Sequence, residues 1–192
     1  MPSAIQYTFD QMDTNRTALV TGGNRGIGLA SCEGLADRGV HVVMGARDEE
    51  TGEDAAASIR ERGGSVRVEQ LDVIETASIE ACKERLDADD VAVDALVNNA
   101  GVYPEGDALG VSIDQLDQAW TVNTRGPWLL VKAFVPDMME RGYGRVVNVS
   151  SGSGSFGEGL DTNHAAYSAA KAGLNALTMT LDNALPDGPD VK

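Results

Sequence analysis

Thr17-Ala18-Leu19-Val20-Thr21-Gly22-Gly23-Asn24-Arg25-Gly26-Ile27-Gly28 runs a short apolar segment directly into a glycine cluster. Thr17–Thr21 has the composition of a buried strand. The residues from Gly26 to about Arg38 read as a helix. Glycines in between let the backbone turn tightly and approach a ligand where a Cβ would collide. The turn opens straight into a helix, whose free N–H groups and positive dipole end suit an anion such as a pyrophosphate. By itself such a loop does no more than join strand to helix, so its meaning depends on what surrounds it.

Outward from this turn the same alternation repeats. Strands are expected at His41–Ala46, Val66–Leu71, Val91–Val97 and Arg145–Val149. Helices are expected from about Glu49 to Arg62, Ala77 to Leu86 and Ala165 to Ala184, the last stopping before Pro186. A longer helical region begins at Ser112 as N-cap, passes through Trp120, is interrupted near Gly126-Pro127 and ends at about Met139. Strands separated by helix-length segments imply right-handed βαβ units. The expected fold is therefore α/β, a Rossmann-type doubly wound parallel sheet in three layers. Residues 1–15 read as a solvated extension and residues 16–192 as one domain. Such a sheet binds ligands beyond the carboxyl ends of its strands, and the chemically informative residues do follow strands.

After the expected fourth strand comes Asn98-Asn99-Ala100-Gly101, and after the fifth Asn148-Val149-Ser150-Ser151. The last helix holds Tyr167-Ser168-Ala169-Ala170-Lys171, which places a phenol and an ammonium on one helix face. A tyrosine ordinarily titrates near pH ~10. A nearby positive charge favours the phenolate, bringing the group towards the pH at which it can exchange protons with a carbonyl or alcohol oxygen. A serine hydroxyl at the strand end can support charge developing on that oxygen.

Together, T-G-x-x-x-G-x-G, N-N-A-G, the serine pair and Tyr-x-x-x-Lys resemble the short-chain dehydrogenase/reductase family, over nearly the whole chain from Thr17 onward. The resemblance implies a carbonyl-reductase-like oxidoreductase with a tetrad of Asn123, Ser151, Tyr167 and Lys171. Asn123 would act through a backbone carbonyl that holds a water near Lys171. The gap from Ser151 to Tyr167 is a few residues longer than is common, which keeps Ser153 as the alternative serine. The resemblance also assigns dinucleotide contacts to Gly22, Asn24, Arg25, Gly26, Ile27, Gly28, Asp72, Val73, Asn98, Ala100 and Gly101, with Tyr167 and Lys171 at the nicotinamide.

The second strand ends Met44-Gly45-Ala46-Arg47, without the acidic side chain that usually binds a ribose 2′-hydroxyl. Arg47 and Arg25 would instead suit a 2′-phosphate through charge-assisted hydrogen bonds. NADPH is thus expected over NADH, with Asp48 as the feature that speaks against it. The other reading for this chain is a non-catalytic NAD(P)-binding sensor or scaffold of the same fold.

The net charge is −15, and four of the fifteen basic residues are lysines. Such a surface repels nucleic-acid phosphates and is compatible with adaptation to high salt. No apolar run approaches bilayer length, and the amino terminus lacks the order of a secretory signal. Cys32 and Cys82 form no disulfide or metal pattern, which points to a reducing cytoplasm. No metal is expected, because neither His41 nor His164 has metal-ligand spacing. His164 lies close enough to Tyr167 to line a substrate cleft. Trp120 and Trp128 read as core or interface residues. By resemblance, the fourth and fifth helices would build a homodimer or homotetramer. The tail Leu185-Pro-Asp-Gly-Pro-Asp-Val-Lys192 reads as the approach to a further strand, with the family's remaining C-terminal strands and substrate lid missing and one sheet edge left uncovered.

Overall fold

The computed structural model describes residues 16–157 and 159–192. The extension read over residues 1–15 lies outside them. The described chain contains β1 (Thr17–Thr21), α1 (Gly26–Ala36), β2 (His41–Ala46), α2 (Glu49–Glu61), β3 (Val66–Gln70), α3 (Thr76–Ala88) and β4 (Ala95–Asn98). It continues through α4 (Ile113–Trp120), a π-helical segment (Thr121–Arg125), α5 (Gly126–Arg141), β5 (Tyr143–Asn148), a 3₁₀ turn (Gly152–Gly154), α6 (Ala165–Ala184) and β6 (Asp190–Val191). The six strands form one sheet in the order β3-β2-β1-β4-β5-β6, and every pair is parallel. The strand order reverses between β1 and β4, where a doubly wound sheet opens a crevice at its carboxyl edge.

Side chains alternate across the sheet and divide the core in two. Leu19, Val43 and Leu96 join Ile79, Leu86, Leu130, Phe134 and Met138 on the face covered by α3 and α5. Val20, Val42, Met44 and Val97 join Cys32, Ala56 and Ile59 on the face covered by α1 and α2. Each fully buried side chain of this size contributes about 1.5–3 kcal/mol of apolar transfer, so the sheet is held from both sides.

β5 starts at Tyr143 rather than Arg145, where β6 pairs with it, and three further elements depart from the sequence expectation. The fourth strand starts at Ala95 rather than Val91, because β1 first pairs with it at Ala18↔Ala95. The Asp94 carboxylate instead accepts from the Thr17 N–H at 3.0 Å. The helical interruption is a π segment beginning at Thr121, five residues before Gly126. Pro127 lacks the N–H that would return to the Asn123 carbonyl in α-helical register, so the strain is relieved upstream of the proline. Finally, the tail does more than approach a strand: Asp190 and Val191 pair with Tyr143 and Gly144 as β6. The Val146 N–H also donates to the Lys192 carbonyl at 2.7 Å, and Val147, next along β5, is 49% exposed.

Candidate active site

The glycine turn is held by the segment that follows β4, and by β2, whose Gly45 carbonyl accepts from the Gly23 N–H at 3.0 Å. The Thr21 hydroxyl is buried and accepts from the N–H groups of Asn99 and Ala100, each at 3.0 Å. The Asn99 amide donates to the carbonyls of Thr21 at 2.9 Å and Gly22 at 3.3 Å. Gly22 has φ +61°, and a Cβ on Gly28 would stand 2.2 Å from the Gly22 carbonyl oxygen. No other residue fits at Gly28 without opening the turn. Asn99 and Thr21 were not singled out in the sequence. Their signal was weak, a second asparagine in N-N-A-G and a strand-terminal threonine.

Arg25 is the N-cap of α1 but provides no side-chain cap, and the first turn carries no acidic residue. The first backbone bond into the helix is from Leu29 to Arg25. This leaves the amino-terminal N–H groups and the positive end of the helix dipole facing the turn, the donor set that a pyrophosphate requires. Ile27 is 67% exposed at the same place. Asn24 is less available, since its amide donates to the Thr51 hydroxyl at 3.1 Å.

Arg25 and Arg47 are both exposed, and neither guanidinium has an ion-pair partner among the described residues. Asp48, the residue that spoke against a phosphate, is the N-cap of α2: its carboxylate accepts from the Thr51 N–H at 2.8 Å. A carboxylate at a helix N-terminus is stabilised there, so Asp48 is accounted for by α2. Asp72 closes a tight turn after β3, one carboxylate oxygen accepting from the Ile74 N–H at 3.2 Å. Val73 is buried against the start of α5, where a Cβ on Gly126 would lie 2.9 Å from its carbonyl. Asn98 is buried and donates to the Asn148 side chain at 2.8 Å, tying β4 to β5. Ala100 lies against Gly22, and Gly101 against the side chain of Asn123.

The residues of the expected tetrad come from three places: the π segment, the cap of the 3₁₀ turn and α6. Lys171 is buried on α6, and its ammonium donates to the Val149 carbonyl at 2.6 Å, just past β5. Burial lowers its pKa from the ordinary lysine value. Tyr167 is half-buried one helical turn earlier, its ring centroid 5.7 Å from the Lys171 Nζ. The serine loop packs directly on this helix: a Cβ on Gly154 would meet the Lys171 Cβ at 2.7 Å. Ser151 caps that turn, its Oγ accepting from the Ser153 N–H at 3.2 Å and keeping its own proton to donate. Ser150 donates to Asn175 at 2.6 Å and is thereby committed to α6. Asn123 is fully buried in the π segment. The next residue, Thr124, donates to the Ala170 carbonyl at 2.7 Å and ties that segment to α6.

Tyr103, unremarked in the sequence, stacks on His164 at 3.9 Å and meets Tyr167 edge-on at 4.5 Å. Trp120 is not a core residue: it packs on Gly173 but is 49% exposed, and Trp128 is 47% exposed. His41 is hydrogen-bonded to Ser65 at 2.6 Å, away from these groups.

A family model for short chain dehydrogenases matches residues 16–188. Galactitol 2-dehydrogenase of Agrobacterium fabrum is 31% identical over 89% of the chain, and 3-oxoacyl-[acyl-carrier-protein] reductase FabG of Escherichia coli is 35% identical over 86%. The chain spans 65% and 66% of the length of these two relatives. Among solved structures, a gluconate 5-dehydrogenase from Burkholderia cenocepacia in complex with NADP and tartrate matches with TM-score 0.86 and 29% identity, covering 93% of this chain and 68% of that one. A metagenomic short-chain oxidoreductase in complex with NADP matches with TM-score 0.81 and 34% identity, covering 88% and 75%.

Proposed function

This chain belongs to the short-chain dehydrogenase family, and from that premise we propose that it interconverts a carbonyl and an alcohol at the expense of NADP(H). The observation that carries the reading is the pairing of the Tyr167 ring with the buried Lys171 ammonium, 5.7 Å apart and beside the serine turn. The glycine cradle, which a Cβ at Gly28 would fill, and the uncapped start of α1 fit a dinucleotide pyrophosphate. Gly22, Asn24, Arg25, Gly26, Ile27 and Gly28 would hold the phosphates. Asp72 and Val73 would meet the adenine, and Asn98, Ala100 and Gly101 would line the passage towards the nicotinamide. Arg25 and Arg47 would take a 2′-phosphate, which is the basis for preferring NADPH.

When bound, the nicotinamide supplies or accepts the hydride; the chain supplies everything else. Tyr167 gives its phenolic proton to the carbonyl oxygen, or takes one from an alcohol. Ser151 donates to the same oxygen and stabilises charge on it. Ser153 remains the alternative for that role. Lys171, held by Val149, places its ammonium beside the Tyr167 ring. Asn123 contributes a backbone carbonyl to which Pro127, four residues on, has no N–H to donate.

Substrates are then small carbonyl compounds or alcohols rather than nucleic acid, given a net charge of −15. Among the described residues no helix is long and apolar enough to cross a membrane. Both thiols are buried and pushed up to about 12 by desolvation, which makes them unreactive; a cytoplasmic setting accords with them. Ile113, Leu116 and Trp120 form one exposed apolar stripe along α4, which a second copy of the chain would cover.

The test is NADPH oxidation against a panel of aldehydes and ketones, for wild type and Tyr167→Phe. Turnover by the wild type and a loss of about 10²-fold or more in the variant is the expected result. Full activity in Tyr167→Phe would refute the assignment. NADPH binding without turnover in the wild type would favour a sensor or scaffold.

A further inference from the structure

We propose that Asp161, His164 and Tyr103 form a positioning cluster that fixes the ring of Tyr167 on its substrate side, Tyr103 being the residue in contact. The proposal rests on the reading of Tyr167 as the proton-transfer group. Asp161 is the hub. One carboxylate oxygen accepts from the Asn163 N–H at 2.9 Å, and the other accepts from the Tyr103 hydroxyl at 3.2 Å and lies 2.8 Å from His164 Nδ1. The Tyr103 hydroxyl also lies 3.0 Å from His164 Nδ1, so the three side chains close a triangle of polar contacts. Tyr103 then stacks on the imidazole at 3.9 Å and presents its ring to Tyr167 at 82°. Edge-to-face contact at this distance is a favourable aromatic geometry.

The backbones on either side are also fastened. Gly106 donates to the Asn163 carbonyl at 2.8 Å and accepts from the Ala165 N–H at 3.0 Å, bracketing His164. Val102, next to Tyr103, is bonded through both its N–H and its carbonyl to the Asn123 side chain. The loop carrying Tyr103 is therefore clamped from the π segment on one side and from the start of α6 on the other. Desolvation, followed by the hydrogen bond to Asp161, holds the Tyr103 phenol above the usual tyrosine range. The Asn163 N–H, followed by His164, holds the Asp161 carboxyl below the usual range. Tyr103 thus stays a donor to Asp161. The two rings sit side by side with different duties.

The experiment uses the whole chain with Tyr103→Ala, Tyr103→Phe, His164→Gln and Asp161→Asn. It measures kcat, KM, NADPH affinity by fluorescence, and thermal midpoint. Tyr103→Ala is expected to lower kcat at least about tenfold with NADPH affinity unchanged, because a misplaced proton-transfer group costs rate more than cofactor binding. Tyr103→Phe keeps the edge contact and should recover most of that loss. His164→Gln and Asp161→Asn should fall in between. If Tyr103→Ala is folded and retains full kcat while Tyr167→Phe is inactive, the cluster proposal is overturned and the reading of Tyr167 stands. If Tyr103→Phe is as impaired as Tyr103→Ala, positioning by the ring is likewise overturned. A wild type inactive on every carbonyl offered overturns both together.

Discussion

The side chain of Asn123 holds the backbone of Val102 at both of its polar atoms: Oδ1 accepts from the Val102 N–H at 3.0 Å and Nδ2 donates to the Val102 carbonyl at 2.9 Å. Asn123 is wholly buried, so these bonds form away from solvent. The residue thus serves the loop after β4 through its side chain, whatever its carbonyl does. Asn123→Ala should destabilise the fold by about 1–3 kcal/mol, the net value of two hydrogen bonds. It should also reduce turnover, since Tyr103 follows Val102. Chemical denaturation together with steady-state kinetics would show both effects; a fully stable variant would contradict the clamp.

Gly28→Ala is expected to abolish dinucleotide binding, because the new Cβ would stand 2.2 Å from the Gly22 carbonyl oxygen and 2.5 Å from the Asn99 amide nitrogen. Backbone, and an amide committed to two carbonyls, cannot retreat cheaply. NADPH fluorescence titration is the measurement, and an unchanged affinity would mean that the cradle is not the binding site.

Arg47→Ala and Arg25→Ala should each weaken NADPH by about tenfold to a hundredfold, the range for a hydrogen bond to a charged group of about 1.5–3 kcal/mol. NADH should be little affected, as it has no 2′-phosphate. Parallel titrations with both cofactors decide the matter; equal losses would remove the phosphate argument.

Asp190 gives a pH-dependent prediction. The Arg145 guanidinium, followed by Lys192, holds its carboxyl below the ordinary value of 3.8. A depressed carboxyl stabilises the folded state above the unfolded value and loses that contribution as pH falls through the folded one. Asp190→Asn should therefore lower the thermal midpoint at neutral pH, with the difference from wild type shrinking below pH ~4. A difference that persists at pH ~2 would show that the ion pair is not its source.

The net charge of −15 predicts a response to salt. Raising potassium chloride to about 1 M shortens the screening length to about 3 Å and relieves self-repulsion. The thermal midpoint and activity should rise; loss of either on adding salt would count against an adaptation to high salt.

Much of this architecture was legible before any coordinates. Helix and strand periods set the element order, and glycine spacing placed the turn between β1 and α1, because both are properties of a few consecutive residues. The Tyr167–Lys171 pairing was equally local, since residues four apart share a helix face. Less legible was the start of β4, which depends on where β1 first offers a partner. The π segment was also displaced from its cause, with Pro127 acting on the turn before it.

What the sequence alone determined here was a doubly wound sheet with a phosphate-sized glycine turn at one strand end and a phenol–ammonium pair at another. Only the tertiary structure decided what holds them. Asn99 reaches Thr21 across 78 positions, and Tyr103 reaches Asp161 across 58. Such contacts follow from strand order and loop closure, which bring distant residues to one sheet edge. Local composition carries the period of an element but not the identity of its neighbours.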